Sequence, residues 1–561
     1  MGQILKKKAA LITISVVFLL FAAAIIMFFS ISLPVNLLYE KESTVIYDRN
    51  GEMLRVFTKD GFFYLPYNEN DEIPEKLKKA VLFYEDRRFE KHFGIDFKAI
   101  IRATYQNITK GRIHSGASTI TMQLSRLMTQ KRRTFINKAI ESIQAIKMEK
   151  KWPKDKILRK YLTYCPYGQN IYGYKTASLK YFRKMPKELN WSEAALLAVL
   201  PNAPGLLHPE KNRDKLTNKR DRLLKRMTEA GIITEHEYED AVSVEPPKIS
   251  VPFQTNAWHL TRNLERRTRD KIITTTIDRK LQLVIEQILR DYSNETDTGL
   301  TNFASLVVKT RSSEVLSWVG SHNFFDEYNN GQVDALVSRR PVDGLLQPLL
   351  FAISIDEVGL DLDQLLPDKK QKYEGYTPTN TDGRYLGKIK ASKSLKQFRN
   401  VPAVYLLDKL GFERFYTFLK KAGARSIPQP PEYYKYSLIS GGFDLQPVEV
   451  AALYSGLARG GNFMRLKTIL SSSSNKENLI SENSAKKVVA SLPHRKTGKG
   501  NIPFVSTCNR NGRECWTIIL SPDYTVLVWG GNMSGGNGHD PAKSLKSLKN
   551  IAFLIYENTE I

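Results

Sequence analysis

A long uncharged run near the amino terminus constrains this chain more than any other feature. Residues 9–34 carry no charge and are nearly all apolar, and three lysines stand directly before them at positions 6–8. About 20 apolar residues are enough for a helix to cross the hydrocarbon layer, and clustered lysines favour the cytoplasmic side. The pattern predicts a single transmembrane anchor with the rest of the chain outside the cytoplasm. The alternative is a cleaved signal peptide with its site at the three alanines 22–24, but that site lies inside the run, which is longer than a typical signal core.

The charge of the chain predicts an anionic partner. The 561 residues include 84 Lys and Arg against 58 Asp and Glu, a formal net charge of +26, and a hydrophobic content of 42% suits folded domains. Such an excess favours nucleic acid, a phosphorylated substrate or an anionic membrane as partner. Because the predicted anchor leaves the domains outside the cytoplasm, we expect the membrane and a phosphorylated substrate as partners, and no nucleic acid.

Cysteine and histidine spacing indicates neither a disulfide framework nor a zinc site. The three cysteines are Cys165, Cys508 and Cys515. The last two stand close enough to pair outside the cytoplasm, and the sequence leaves that pairing open. The eight histidines show no zinc-ligand spacing with one another or with the cysteines.

Changes of pattern divide the chain into five segments. Apolar and polar residues alternate on both sides of Asp48-Arg49-Asn50-Gly51, which indicates a hairpin. Helical spacing follows, a proline-rich stretch interrupts it, and strands then mix with helices. We therefore predict a cytoplasmic tip and transmembrane anchor at 1–34, a short β-rich connector at 35–67, a mostly helical domain at 68–245, a linker at 246–271 and an α/β domain at 272–561.

Charged residues gather around a small polar loop in the helical segment. Glu85-Asp86-Arg87-Arg88 closes one helix, residues 111–123 run from a glycine-containing loop into another, and Lys138 and Glu141 share a helix face. A carboxylate can take a proton from a hydroxyl, and cations with a helix start can stabilise a departing diphosphate. The combination suits glycosyl transfer from a diphosphate donor, although charged runs of this kind usually form solvated helix ends.

Taken together, the segments resemble the glycosyltransferase motifs of class A penicillin-binding proteins. The shared patterns are Glu-Asp-Arg-Arg-Phe-x-x-His-x-Gly, Gly-x-Ser-Thr-Ile-Thr-x-Gln and Lys-x-x-Glu, followed by 156–162, 167–168, 177–182 and 220–227. In the second half the resemblance includes residues 324–327 and 331–334. It implies a multidomain fold with a single N-terminal transmembrane helix, a mostly α-helical lysozyme-like glycosyltransferase domain and an α/β C-terminal domain of the penicillin-binding and β-lactamase type.

The resemblance also implies an activity: polymerisation of lipid II into glycan strands at the outer face of a bacterial cytoplasmic membrane. Glu85 matches the general base that deprotonates the acceptor 4-hydroxyl, Glu141 matches the second family glutamate, and His92 is expected to be a structural hydrogen-bonding residue. No cofactor is required by the sequence, although a divalent cation, Mg or Mn, is compatible with the diphosphate. The predicted substrate-binding residues are Asp86, Arg88, Ser118, Thr119, Gln123, Arg126, Arg133 and Lys138.

The second half resembles a penicillin-binding transpeptidase that has lost its nucleophile. Those enzymes use Ser-x-x-Lys, whose two side chains share a helix face. Here Gly344 stands at the serine position and Gln347 at the lysine position. The next motif reads Phe398-Arg399-Asn400 without its serine, and Lys496-Thr497-Gly498 matches the third motif. The prediction is a domain without transpeptidase activity that binds a peptide or another cell-wall synthesis protein, or only packs against its neighbour.

Two other function classes are compatible with parts of the pattern. A wholly inactive cell-wall scaffold would explain the degenerate second half, but Glu85 and Glu141 are both present. A lytic hydrolase would also place a glutamate in a cleft, but the predicted anchor and the basic positions favour the glycosyltransferase.

Overall fold

The computed structural model describes residues 15, 26, 28–33, 42–66, 70–111, 116–129, 132, 134–168, 170–202, 212–295, 299–342, 344–442, 444–509, 512–533 and 540–560. Within these ranges, no helix is both long and apolar enough to cross a membrane. Most of the predicted anchor at residues 9–34 lies outside the described residues.

The chain forms two compact units. The first takes residues 1–45 and 56–253, and the second takes residues 46–55 and 254–561. Part of the predicted hairpin therefore belongs to the second unit, where Tyr47 O accepts a 2.9 Å hydrogen bond from Thr275 N and Arg49 N donates one of 2.9 Å to Ile277 O.

The chain up to residue 253 is mostly helical, as the spacing of its apolar residues predicts. Polar side chains cap helix starts: Asp96 accepts from Ala99 N, and Thr134 accepts from Asn137 N. The helices are α1 Glu75–Glu85, α2 Phe97–Thr109, α3 Ile120–Thr129, α4 Phe135–Lys151, α5 Lys154–Tyr164, α6 Tyr174–Phe182, α7 Trp191–Val199, α8 Arg213–Glu229 and α9 Glu235–Ser243; the strands are β1 Thr44–Tyr47, β2 Met53–Phe57, β3 Phe63–Tyr64 and β4 Ile171–Tyr172.

Helix α7 lies at the centre of the first unit. All its residues are buried, including Ser192 and Glu193 of the first turn, and residues 194–199 are apolar on every side of the helix, as expected of a buried helix. It packs against α1 and α8, and Leu77 and Val81 of α1 join the same core. This packing fixes the last turn of α1, where Glu85 lies.

The second unit contains the predicted mixture of strands and helices. An antiparallel sheet of six strands has the order β14-β15-β16-β17-β6-β7. The strands of this part of the chain are β5 Ile272–Thr274, β6 Asn302–Lys309, β7 Glu314–Val319, β8 Arg340–Pro341, β9 Leu365–Asp368, β10 Gly387–Lys390, β11 Asp444–Leu445, β12 Asn462–Phe463, β13 Glu477–Asn478, β14 His494–Thr497, β15 Gly500–Cys508, β16 Glu514–Leu520 and β17 Tyr524–Gly531. The helices are α10 Trp258–Arg267, α11 Arg279–Glu295, α12 Gln347–Val358, α13 Ala391–Lys396, α14 Asn400–Leu410, α15 Phe412–Ala422, α16 Pro431–Tyr434, α17 Pro447–Ala458, α18 Glu482–Ser491 and α19 Pro541–Glu557.

The sheet is buried on both faces at its centre. Helices α11 and α19 share one apolar core with the sheet, which includes Val526 and Val528 of β17. Leu527 between them is also fully buried, although successive side chains of a strand point to opposite faces. Helix α17 also packs against β17.

The cysteine pairing that the sequence leaves open is present in the structure. Cys508 and Cys515 form a disulfide, and they stand opposite each other in the β15–β16 register. Cys165 is a free, buried thiol.

Candidate functional site

Glu85 ends α1, and its carboxylate is buried within the first unit. Its Oε2 accepts a 2.8 Å hydrogen bond from Gln123 Nε2. Its Oε1 accepts no hydrogen bond of standard geometry from the described residues, although Asn202 lies near enough to favour the charged carboxylate. A buried carboxylate oxygen in this state is well placed to accept a proton from a substrate hydroxyl.

Tyr161 of α5 fixes the orientation of the Gln123 amide. Its hydroxyl donates to Gln123 Oε1 over 3.3 Å, which leaves Nε2 to donate to Glu85. Burial raises the pKa of Tyr161 well above its ordinary value, so this hydroxyl keeps its proton. An ionised carboxylate only accepts hydrogen bonds, and the two contacts therefore agree on one orientation of the amide.

The environment of Glu85 makes its carboxylate a stronger base. Burial raises the pKa of Glu85, and the hydrogen bond from Gln123 and the charges of Lys219 and Arg126 oppose this rise only in part. A base whose pKa moves toward the working pH removes a proton more effectively.

Asp86 is buried behind the catalytic candidate and joins two segments of the site. Its carboxylate accepts from His92 Nε2 at 3.0 Å and from Ile120 N, at the start of α3, at 3.0 Å. His92 Nδ1 accepts from Gly94 N, so the proton of this ring lies on Nε2. Asp86 and His92 therefore hold the first motif against the helix that carries Gln123.

Thr119 connects the start of α3 to Gly94, and Gly94 packs closely against α4. Thr119 Oγ1 donates to Gly94 O at 2.7 Å and accepts from Met122 N, which caps α3. Gly94 has φ +90°, and a Cβ atom there would lie 2.7 Å from the carbonyl carbon of Ala145 in α4. Only glycine allows this close backbone contact.

Lys138, Ser118 and Glu141 form a second polar cluster. Lys138 Nζ donates to Ser118 Oγ and lies 3.6 Å from Glu141 Oε2. Glu141 is buried, and its Oε2 accepts no hydrogen bond from the described residues. Because Ser118 and Gln123 bracket the start of α3, this segment links the Lys138 cluster to Glu85.

The predicted substrate-binding residues not yet described are three arginines. Arg88 Nη1 bonds to Asp96 Oδ1 at 3.2 Å and so supports the start of α2. Arg126 acts on Glu85 through its charge. Arg133 lies outside the described residues. Among the described residues, no group of three or more His, Cys, Asp or Glu side chains is arranged to hold a metal ion.

In the second unit, Gly344 and Phe398 line one open cavity of about 940 Å³. Gln347 is fully buried beside it and donates from Nε2 to Asn400 Oδ1 at 3.0 Å. A neutral amide contact thus occupies the place where the matching motifs have a lysine. Among the described residues that line the cavity, two are lysines and none is acidic. The cavity keeps space for a ligand, but Gly344 brings no nucleophile to it.

Comparisons with known proteins decide the family. A family model described as Transglycosylase matches residues 56–228. Penicillin-binding protein 1C of Escherichia coli (strain K12) is 30% identical over 548 residues, which cover 95% of this chain and 70% of that protein. The chain belongs to the class A penicillin-binding proteins.

Two other penicillin-binding proteins are also similar to this chain, as the motifs predict. Penicillin-binding protein 1A of Aquifex aeolicus is 40% identical over 203 residues, covering 36% of this chain and 28% of that protein. The crystal structure of penicillin-binding protein 1A from Haemophilus influenzae shares the fold, with a TM-score of 0.53 over 93% of this chain and 92% of that one at 15% identity.

In this penicillin-binding protein, Lys496 does not line the cavity that Gly344 and Phe398 line. It is exposed on β14, pairs with Asn501 in the sheet, and is not among the described residues that line the cavity. The cavity is lined instead by Ser506 and Thr507 of β15. The Lys-Thr-Gly letters therefore stand on a different part of the sheet edge from the cavity.

Sequence reasoning gave no role to two residues that act on Glu85. Tyr161 orients Gln123, and Lys219 of α8 is half-buried and interacts with Glu85 electrostatically. Both lie in or beside stretches that carry the family resemblance. Their roles depend on tertiary contacts, which a motif does not specify.

A Tyr161→Phe variant of this penicillin-binding protein is expected to shift the acid limb of the pH–activity profile, where activity falls as the pH is lowered, to higher pH. Without the hydroxyl, Gln123 is free to rotate and stabilises the Glu85 carboxylate less, so the pKa of Glu85 rises further and the base stays protonated up to a higher pH. The carboxylate is also held less firmly in place, and for this reason the rate should fall about fivefold, the equivalent of about one hydrogen bond. The pH profile of glycan polymerisation measures this. Tyr181→Phe removes a buried hydroxyl that bonds to Tyr167 O and should leave the limb in place; an equal shift in both variants would contradict the role of Tyr161.

Proposed function

We propose that the first unit polymerises lipid II by an inverting glycosyl transfer with Glu85 as general base. Glu85 takes the proton of the acceptor GlcNAc 4-hydroxyl, and that oxygen forms a bond to the anomeric carbon of the donor MurNAc. The bond from this carbon to the undecaprenyl diphosphate breaks, and the diphosphate leaves with the electron pair. The observation that carries the proposal is the buried Glu85 carboxylate, which Gln123 holds and whose Oε1 accepts no hydrogen bond of standard geometry from the described residues.

The Lys138 cluster suits the diphosphate end of the donor. Lys138 and Ser118 supply a cation and a hydroxyl beside the start of α3, and such groups stabilise departing negative charge. Glu141 holds Lys138 in place from one side. The described residues include no group of three or more His, Cys, Asp or Glu side chains arranged to hold a metal ion, but a divalent cation bound mainly by the diphosphate is compatible with this cluster.

An exposed apolar surface supports work at a membrane. Phe97, Ile101, Tyr105 and Ile108 on one stripe of α2 are each 70–75% exposed, and Phe135 at the start of α4 is 97% exposed. Exposed apolar area of this kind marks membrane or protein contact. With the predicted anchor, it supports the proposal that the activity takes place at the outer face of a bacterial cytoplasmic membrane, on lipid II and the nascent glycan chain.

An assay with labelled lipid II tests the proposed activity. The purified full chain should convert it into long glycan polymer without releasing muropeptides from finished wall. Formation of no polymer under any condition would leave the scaffold hypothesis standing, and muropeptide release would instead support the hydrolase.

We also propose that the second unit has no transpeptidase activity and acts as a non-catalytic binding domain for a peptide or another cell-wall synthesis protein. Gly344 carries no hydroxyl, and the buried amide of Gln347 cannot act as a base. The cavity of about 940 Å³ and its two lysines remain as a binding space.

A fluorescent penicillin is expected not to label the chain covalently, because acylation needs an activated hydroxyl. Labelling is read after denaturing electrophoresis. If a stable adduct formed, Ser440→Ala and Ser506→Ala variants, which each remove one cavity-lining hydroxyl, would identify the nucleophile and the reading of Gly344 would be wrong.

A further inference from the structure

A groove rich in arginine lies in the second unit, apart from the degenerate cavity. Its volume is about 520 Å³. One wall is formed by α10 with Arg262, Arg266 and Arg267. The opposite wall contains Gln332 and Asp334 from the 331–334 motif, which has no part in the proposed glycosyl transfer. We call this feature the arginine groove.

The three guanidinium groups lie without an ion-pair partner among the described residues. Arg262 Nη1 donates to the neutral Gln332 Oε1 at 3.2 Å, which holds its side chain across the groove. Neither Arg262 nor Arg266 or Arg267 forms an ion pair with any residue in the described part of the chain. A ligand that enters the groove therefore meets positive charge that no ion pair among the described residues neutralises.

A fourth arginine adds to this charge. Arg55 stacks over the Trp258 ring at 4.5 Å and donates to Trp258 O at 3.2 Å. Burial and then the charge of Arg262 lower the pKa of Arg55 to about 10, and Glu265 opposes this only in part. Like charges held together in this way repel each other, and a bound anion would relieve the repulsion.

Among the described residues that line the groove the one acid is Asp334, which interacts with the charge of Arg267 but forms no ion pair with the arginines. Asp334 is buried, and its oxygens accept from Trp318 Nε1 and Leu336 N, each at 3.0 Å. Burial raises the pKa of this carboxyl. His259 Nε2 donates to Gly331 O over 2.9 Å, because a carbonyl oxygen only accepts, and this nitrogen therefore carries a proton.

We propose that the arginine groove binds a phosphate-bearing ligand. Guanidinium forks match phosphate oxygens in pairs of hydrogen bonds, and the amides of Asn263 and Gln332 flank them. The volume lies within the range of about 300–1,000 Å³ that small-molecule sites occupy. The negative end of the α10 dipole would by itself favour Arg266 and Arg267, but Arg262 lies a turn earlier and bonds across the groove.

Hydrogen exchange on the detergent-solubilised full chain tests the proposal at the site itself. The probes are pyrophosphate, as a free phosphate, and dihexanoyl phosphatidic acid below its micelle concentration, as a lipid headgroup. A probe that binds should protect the amides of 258–267 and 331–337. The triple variant Arg262→Gln/Arg266→Gln/Arg267→Gln should weaken binding about tenfold or more, because several charge-assisted hydrogen bonds are lost.

Matched control variants distinguish binding at the arginine groove from nonspecific attraction of anions to a basic protein. Lys369→Gln/Lys370→Gln/Lys372→Gln removes the same charge from exposed positions of the same unit and should leave protection unchanged. Arg262→Lys keeps the charge without the fork and should weaken binding several-fold. Protection by pyrophosphate alone identifies a soluble ligand, and protection by phosphatidic acid at lower concentration identifies a lipid. If neither probe protects these segments, or if both triple variants behave alike, the proposal is overturned.

Discussion

A Glu85→Gln variant is expected to lower glycan polymerisation by about 10²–10⁴-fold, the range that a positioned general base contributes. The amide keeps the shape of the side chain and its place beside Gln123, but it cannot take the proton of the acceptor hydroxyl. The effect should appear in kcat more than in KM, because the carboxylate acts in the transition state. Polymer formed from labelled lipid II measures it.

The same variant is expected to be as stable as the natural chain or more stable at neutral pH. Because the folded-state pKa of Glu85 is raised, the protonated form favours the folded state. This contribution is fully present below the ordinary carboxyl pKa and is lost as the pH rises through the raised value. Above that value the natural chain bears a buried carboxylate that the glutamine variant does not. A thermal unfolding series from acid to neutral pH should show the two chains separating as the pH rises.

Glu90→Gln provides the matched control. Glu90 is exposed and stands five residues further along, so its loss should change neither polymerisation nor the pH dependence of unfolding. Full activity in Glu85→Gln would contradict the assignment of the base. A large fall in its melting temperature at neutral pH would contradict the burial argument.

A Gly94→Ala variant is expected to lose about 2–5 kcal/mol of stability, by summing left-handed backbone strain and overpacking. Its Cβ would lie 2.7 Å and 2.8 Å from the carbonyl carbon and oxygen of Ala145, and backbone atoms of a helix cannot move aside as a side chain would. Polymerisation should fall as well, because Gly94 O holds Thr119 and Gly94 N holds His92. Denaturant unfolding and the lipid II assay measure the two effects.

Gly231→Ala separates the two causes. Gly231 also has a positive φ, +66°, but a Cβ there meets no atom within 4 Å. Its substitution should cost only the backbone strain, about 1 kcal/mol, and should leave polymerisation unchanged. Equal destabilisation by both variants would show that the contact with α4 has no cost of its own.

The sequence alone predicted the features that depend on residues close together in the chain. Apolar spacing identified the helical first part, and Glu85 ends a helix as expected. The motifs identified the family, and Gly344 stands where the matching motif has its serine. The pairing of Cys508 with Cys515 stayed open in the sequence, because it depends on the register of β15 against β16.

What the sequence determined about this protein is the kind of chemistry that each residue can perform: Glu85 can accept a proton, and Gly344 cannot attack a carbonyl. Only the tertiary structure decided which groups meet. Gln123 reaches Glu85 across 38 residues and Tyr161 orients it from another helix, whereas Lys496 stands on a strand segment that does not line the cavity. The reason is physical: hydrogen bonds and ion pairs form over about 3 Å, and strand register and helix packing set separations on that scale, which the letters of a motif do not contain.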